Sequence, residues 1–262
     1  MSSSAPGAGQ TQGLAESQDP VASSRFPVTI EFPRMDFKVV IIIFEIVVFL
    51  FAISVHESSH AWMANLLGDP TARMLGRISL NPIRHIDIVG TILLPAIAAI
   101  TGIPLLGWAK PTPVDTRNFK NPVLDDVLTA VIGPISNFVV AIGCFVVLII
   151  IGKSSMDGLM IVQALARNGI VDTSSSLMPI ALFFHLALEL NILLGIFNLI
   201  PLSPLDGSHV IRHFLPEGVR RGFDIAGISL LWLLVLFGGN FLGAVLGSVM
   251  NIFDVRLLSL RL

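Results

Sequence analysis

The residues with the clearest chemical potential are His56-Glu57-Ser58-Ser59-His60, a motif at the end of a long apolar run. Residues four apart lie on the same face of a helix, so the two imidazoles can bind one zinc ion together. The glutamate between them can hold a water molecule beside that ion and take its proton. The motif therefore predicts a zinc hydrolase with His56 and His60 as metal ligands and Glu57 as the catalytic base.

The composition around this motif indicates a membrane protein. Residues 39–55 are apolar except for Glu45 and Ser54, and the whole chain of 262 residues is 53% apolar and only 13% charged. Soluble domains have about 25% charged residues. The net charge of −2 provides no basic field, so nucleic acid is not an expected partner. The single cysteine excludes an intrachain disulfide and a zinc site built from cysteines.

A catalytic zinc ion needs a third protein ligand, and the best candidate is Asp206. It lies in the segment 198–207, where Pro201 and Pro204 block a regular helix. Irregular backbone at membrane depth is tolerated only where it faces protein or water, and an aspartate placed there is a functional candidate. The alternative is a turn aspartate that precedes Gly207.

Four apolar runs approach the roughly 20 residues that span a bilayer, at 38–65, 127–151, 179–200 and 225–250. Because the ligands of one ion must meet, an odd number of crossings must separate the first run from the run before Asp206. The run at 127–151 supplies one crossing. We therefore expect the fifth apolar stretch, 86–107, to be a Pro-broken re-entrant or interfacial segment. An additional crossing at 155–171 is the alternative.

Three motifs in this order resemble the site-2 protease family of intramembrane zinc metalloproteases. They are the motif at 56–60, Gly133-Pro134-Ile135-Ser136-Asn137, and the segment from Asn198 to Gly207. The residues near Asn81-Pro82 and Gly107-Trp108-Ala109-Lys110-Pro111 resemble the short bacterial members that lack a PDZ domain. The resemblance covers most of the chain, from about residue 38 to 215.

This resemblance implies one Zn²⁺ ion per chain, bound by His56, His60 and Asp206, with Glu57 as the general base. It also implies that Asn137 helps to hold the substrate or the oxyanion, and it implies no other cofactor. The expected partners are a membrane-protein substrate, cut in or near a transmembrane segment, and the lipid bilayer. The oligomeric state stays open.

The predicted fold is an all-α integral membrane protein with four long transmembrane helices, the Pro-broken segment and a short β-like loop near residues 71–80. That loop could hold an unwound substrate by edge pairing. Residues 1–34 have few large apolar side chains, which predicts a disordered tail. Residues 35–262 are then the membrane-embedded metalloprotease domain.

Other polar residues allow two interpretations each. His185 and Glu189 are four residues apart and could form a second metal site, but we favour a structural hydrogen-bonded pair. His209 could reach the zinc site, but we favour a loop histidine. His85 follows Arg84 in a polar stretch and is expected to be solvated.

The function that these residues favour is zinc-dependent intramembrane endopeptidase activity. The alternatives are a divalent-metal transporter, which has no obvious use for a base such as Glu57, and a catalytically inactive scaffold. Nine of the 16 Lys and Arg residues fall on the active-site side of this topology, and seven on the other. The positive-inside rule and the family resemblance then favour a bacterial inner-membrane protein with a cytosolic active site.

Overall fold

A computed structural model describes residues 37–94, 97, 100, 108–171, 173 and 175–262. The predicted disordered tail at 1–34 and most of 95–107 lie outside these described residues. The protein is all-helical, and no strand occurs in the described part of the chain.

Four of the described helices are long and apolar enough to cross a membrane. Helix α1 (Phe37–Leu66) carries the His-Glu-Ser-Ser-His motif in its second half. Shorter α2 (Thr71–Met74) follows, and the other long apolar helices are α3 (Pro122–Ser154), α5 (Leu177–Asn198) and α8 (Gly239–Leu258). The predicted all-α membrane fold with four long helices is confirmed.

Helices α1, α3 and α5 pack against one another and form the core around the motifs. Ala52, Ala61 and Ala64 of α1 are completely buried. On α5, Gly195 lies so close to the ring of Phe138 that an added Cβ would come within 2.8 Å of it. Small residues let membrane helices approach closely, and the resulting van der Waals contact holds them together. The three helices that carry the chemistry are therefore tightly packed.

The alternative crossing at 155–171 is not formed. This stretch contains α4 (Met156–Leu165), whose ten residues extend about 15 Å, half the thickness of a bilayer core. The side chain of Ser155 caps α4 by accepting a hydrogen bond from the Gly158 N–H. Its apolar residues Ile161 and Val162 are buried in the core cluster of the helical bundle.

Two residues near the start of the fifth apolar stretch are hydrogen-bonded to Trp108, which directly follows it. The N–H of Trp108 donates to the carbonyl of Gly90 (3.2 Å), and the hydroxyl of Thr91 donates to the carbonyl of Trp108 (2.8 Å). A side chain at position 90 would overlap the Trp108 indole, so glycine permits this closure. Gly90, Thr91 and Trp108 therefore lie side by side, and the prediction that 86–107 does not cross once stays a prediction. The proposed break at Pro95 and Pro104 lies outside the described residues.

Two details of the sequence-based fold are corrected. The β-like loop at 71–80 is not a strand pair, because Thr71–Met74 form helix α2 and Gly76, with φ of 67°, turns the chain away. The apolar run at 225–250 is divided at Gly238 into α7 (Glu217–Phe237) and α8. The pair Gly238-Gly239 lowers helix propensity at this break. Between α5 and α7 lies the short helix α6 (Gly207–Phe214).

Candidate metal centre

The three predicted ligands meet in one buried group. Nε2 of His56 and Nε2 of His60 are 3.0 Å apart. Oδ2 of Asp206, at the start of α6, lies 3.1 Å from the His56 Nε2 and 3.4 Å from the His60 Nε2. Each histidine is only 7% exposed. The structure thus unites a motif inside α1 with a residue beyond the end of α5.

The partners of the other ring nitrogens determine which atoms face this group. Nδ1 of His60 lies 2.6 Å from the carbonyl oxygen of Thr129, which can only accept, so this nitrogen carries the proton and donates. Nδ1 of His56 donates to Oδ1 of Asn137 at 2.7 Å. With Nδ1 donating elsewhere, each imidazole turns its Nε2 toward Asp206.

This arrangement fits a tetrahedral zinc ion. Two imidazole nitrogens and a carboxylate oxygen converge here, and these are donors that zinc accepts in proteins. Ligand atoms about 2.0–2.1 Å from zinc at tetrahedral angles are about 3.3 Å apart, close to the three distances here. Among the described residues, His56, His60 and Asp206 form the one group of His, Cys, Asp and Glu side chains close enough to share a metal ion.

The carboxylate of Glu57 is held by Thr112. Its Oε2 accepts from the Thr112 N–H (2.9 Å) and lies 2.7 Å from the Thr112 hydroxyl. In the described part of the chain no hydrogen bond engages the other oxygen, Oε1. Thr112 was not recognised from the sequence, since a threonine between two prolines has no distinctive spacing relative to a motif 55 residues earlier.

Asp69 binds the residues that follow Thr112 in the chain and so holds this segment in place. This fully buried carboxylate accepts from the Asp115 N–H (2.7 Å), the Asn118 amide (2.8 Å), and the N–H and hydroxyl of Thr71. Burial raises the pKa of Asp69, but these hydrogen bonds lower it more, so the pKa lies below its usual value. The chain that positions Glu57 is therefore fixed to the loop that follows α1.

We expect Thr112→Val to lower kcat by about tenfold while the zinc content stays unchanged. Valine keeps the backbone N–H but removes the hydroxyl, and one hydrogen bond to a charged group contributes about 1.5–3 kcal/mol. Cleavage kinetics and metal analysis of the two proteins measure both effects. Thr112→Ser keeps the hydroxyl and should restore kcat; a serine variant as slow as the valine variant would contradict this role.

Glycine 133 forms part of the wall of the metal centre. A Cβ at this position would lie 2.3 Å from the His60 Nε2 and 2.7 Å from the His56 Cε1, closer than atoms can approach. The next residue, Pro134, lies inside α3 and has no N–H. The carbonyl of Thr129, one turn before Gly133, accepts a hydrogen bond from His60. The Gly-Pro part of the second motif therefore brings the α3 backbone against both imidazoles.

Gly133→Ala is expected to weaken zinc binding by at least about tenfold, because the methyl group displaces an imidazole from its ligand position. Gly143→Ala in the same helix is the matched control, since a Cβ there meets no atom within 4 Å. Chelator competition on both purified variants measures the difference. Equal zinc affinities of the two variants would show that the His60 ring can move without loss.

His209, the other histidine considered for the metal centre, does not join it, and neither does His213. His209 lies on α6 rather than in a loop, and its Nδ1 donates to Oδ2 of Asp126 at 3.0 Å. Nε2 of His213 donates to the same oxygen at 2.8 Å. The hydrogen bond to Asp126 raises the pKa of His209. This group attaches α6, directly after Asp206, to α3.

The remaining predictions for polar residues are corrected. His85 is not solvated but completely buried, and its Nε2 donates to the carbonyl of Ser79 at 2.7 Å. His185 is also buried, but no hydrogen bond joins it to Glu189 among the described residues. Two residues at helical spacing share a face, but their χ angles decide whether they meet.

Comparison with known proteins agrees with this geometry. The model of peptidase family M50 matches residues 44–237, a range that includes all three motifs. The chain is 36% identical over 193 residues to "Putative zinc metalloprotease YwhC" of Bacillus subtilis (strain 168), which covers 73% of this chain and 78% of that protein. No solved structure matches. The resemblance drawn from the three motifs is confirmed, and the chain belongs to peptidase family M50, the site-2 protease family.

Proposed function

We propose that this protein is a zinc-dependent intramembrane endopeptidase whose zinc ion is bound by His56, His60 and Asp206. The observation that carries the proposal is the convergence of two Nε2 atoms and a carboxylate oxygen beside Glu57. Membership of peptidase family M50 supports the hydrolysis of peptide bonds. The name of the Bacillus relative supports zinc as the metal.

Glu57 is the proposed general base. The zinc ion that His56, His60 and Asp206 would hold would lower the pKa of water toward about 7 and would polarise a carbonyl group. Oε1 of Glu57 is available to take the proton of the attacking water, while Thr112 holds Oε2. Glu57 can then give that proton to the leaving amine.

Asn137 has a different first role in this proposal. The residue is completely buried, its Oδ1 accepts from His56, and its Nδ2 donates to Asn191 at 2.9 Å. These bonds support a role in orienting His56. The oxyanion role implied by the family resemblance stays a prediction, and it would require the Asn137 amide to leave these partners.

The proposed substrates are membrane proteins cut in or near a transmembrane segment. A helix satisfies its own backbone hydrogen bonds, so the cut segment must unwind before a carbonyl can reach the zinc. We place the unwound segment beside Glu57 and the two histidines.

The proposed location is a bacterial inner membrane with the active site toward the cytosol. The excess of basic residues on the active-site side supports this orientation. The transporter and scaffold alternatives are not favoured, since the family is one of peptidases. Neither alternative accounts for a carboxylate held by two hydrogen bonds next to the ligand pair.

Metal removal tests the proposal. Proteoliposomes with the purified protein and a panel of single-pass transmembrane peptides containing Gly or Pro should show cleavage inside the apolar segment. Chelation should abolish cleavage, and one equivalent of zinc per chain should restore it. Zinc uptake into the vesicles without cleavage of any peptide would contradict the proposal and indicate transport.

A further inference from the structure

We infer that Asn191 of α5 is a positioning residue of the metal centre, which fixes His56 in the tautomer that can bind zinc. This inference rests on the proposed function. It concerns a residue that touches neither the ligand atoms nor the base, and that belongs to none of the three motifs. It follows from a chain of hydrogen bonds that runs through Asn137 and has one permitted direction.

The chain starts at a backbone carbonyl. Nδ2 of Asn191 donates to the carbonyl of Ala187, one turn earlier in α5, at 2.8 Å. A carbonyl can only accept, so the opposite orientation of the Asn191 amide would place two oxygens against each other. The orientation is thus fixed, and Oδ1 of Asn191 faces α3.

The next two steps follow from the first. Nδ2 of Asn137 donates to Oδ1 of Asn191 at 2.9 Å, and its second hydrogen faces the carbonyl of Ala52 at 3.5 Å. Oδ1 of Asn137 must therefore face Nδ1 of His56, 2.7 Å away. Since that oxygen only accepts, Nδ1 of His56 carries a proton, and Nε2 is the ring nitrogen that faces the metal centre.

Because both amides are buried, this series of hydrogen bonds determines the orientation of Asn137. Asn137 and Asn191 are both 0% exposed, in helices of a membrane-spanning bundle, so no water can replace a lost partner. An unpaired amide in such surroundings carries the full cost of its desolvation. Asn137 therefore keeps its orientation only as long as Asn191 offers an acceptor.

The two histidines that are proposed as ligands differ in the group that accepts the hydrogen bond from Nδ1. His60 donates to the main-chain carbonyl of Thr129, which cannot be inverted by a rotamer change. The corresponding partner of His56 is a side-chain amide, which can rotate and exchange its oxygen for its nitrogen. Residues that orient a ligand from outside the first coordination shell typically change metal affinity by about 10–100-fold. Asn191 supplies that control at His56.

The experiment uses three variants of the full chain in detergent micelles and measures the rate of zinc release to a chelator. Asn191→Leu, of similar size but without polar atoms, should release zinc about 10–100 times faster than wild type. Asn191→Asp should behave like wild type, because a buried carboxyl is protonated and can donate to Ala187 and accept from Asn137. The control is Gln163→Leu, which removes an amide that donates to the carbonyls of Leu258 and Leu260, away from the metal centre.

Zinc release from Asn191→Leu at the wild-type rate would overturn the inference, as would equally fast release from all three variants, which would indicate general destabilisation. A second measurement needs no Asn191 variant. ¹⁵N NMR of the zinc-free wild type, with His56 assigned by its loss in His56→Gln, should show a proton on Nδ1 of His56; an Nδ1 without a proton would overturn the inference. A wild type that binds no zinc would contradict the proposed function, while the tautomer would still decide the inference.

Discussion

Glu57→Gln is expected to lower kcat by about 10²–10⁴-fold while the protein keeps one zinc ion per chain. The amide has the shape of the carboxylate and can still accept from the Thr112 N–H, but it cannot take a proton from water. His56, His60 and Asp206 are untouched by the change. Cleavage of a transmembrane peptide in proteoliposomes, together with metal analysis of the same preparation, measures both parts of the expectation.

Glu217→Gln is the matched control for this variant, because Glu217 lies exposed in the first turn of α7. Its activity and zinc content should equal those of the wild type. Cleavage by Glu57→Gln within about tenfold of the wild-type rate would contradict the assignment of the base. Loss of zinc from Glu57→Gln would instead mean that the glutamate takes part in binding the metal.

Asp206→Ala is expected to abolish both tight zinc binding and cleavage. Two imidazoles remain, but a catalytic zinc site needs three protein ligands, so affinity should fall by more than the roughly 10–100-fold that an outer partner contributes. The fold should persist, because both histidines keep their Nδ1 partners and no charged partner is left unpaired. Zinc content after desalting and thermal unfolding of the zinc-free protein separate the two effects.

Asp224→Ala is the control for Asp206→Ala, since Asp224 is a carboxylate of α7 that pairs with Arg212 at 3.2 Å. It should retain zinc and activity. A preparation of Asp206→Ala with the zinc content and affinity of the wild type would mean that another group supplies the third ligand. Among the described residues no other such group lies close to the two histidines.

The large features of the fold could be predicted because hydrophobic length alone decides them. The runs around α1, α3 and α5 exceed the thickness of a bilayer, and their order fixed the topology once Asp206 had to meet His56. The structure of segments with mixed polar and apolar composition was harder to predict. Alternating residues at 71–80 indicated strands, but the described residues offer no neighbouring strand to pair with them, and Thr71–Met74 form a short helix instead.

At the metal centre the sequence identified the ligands but not their supports. The spacing of His56 and His60 carries its own geometry, and Asp206 was recognisable from the prolines before it. Thr112 and Asn191 carry no such signal, because their roles depend on which rotamer meets a residue far away in the chain. Gly133 was recognised only as part of the second motif, and the structure places it against the imidazole edges.

The position of Asp206, so far along the chain from the paired histidines, has a consequence for how the protein is made. Synthesis proceeds from the N-terminus, so the ribosome delivers the base and two ligands long before the third. Until α5 has entered the bilayer and Asp206 has followed it, the nascent chain cannot close a three-ligand centre. Until then the chain lacks the third proposed ligand, and a prematurely terminated product that ends before α6 cannot form the proposed zinc site.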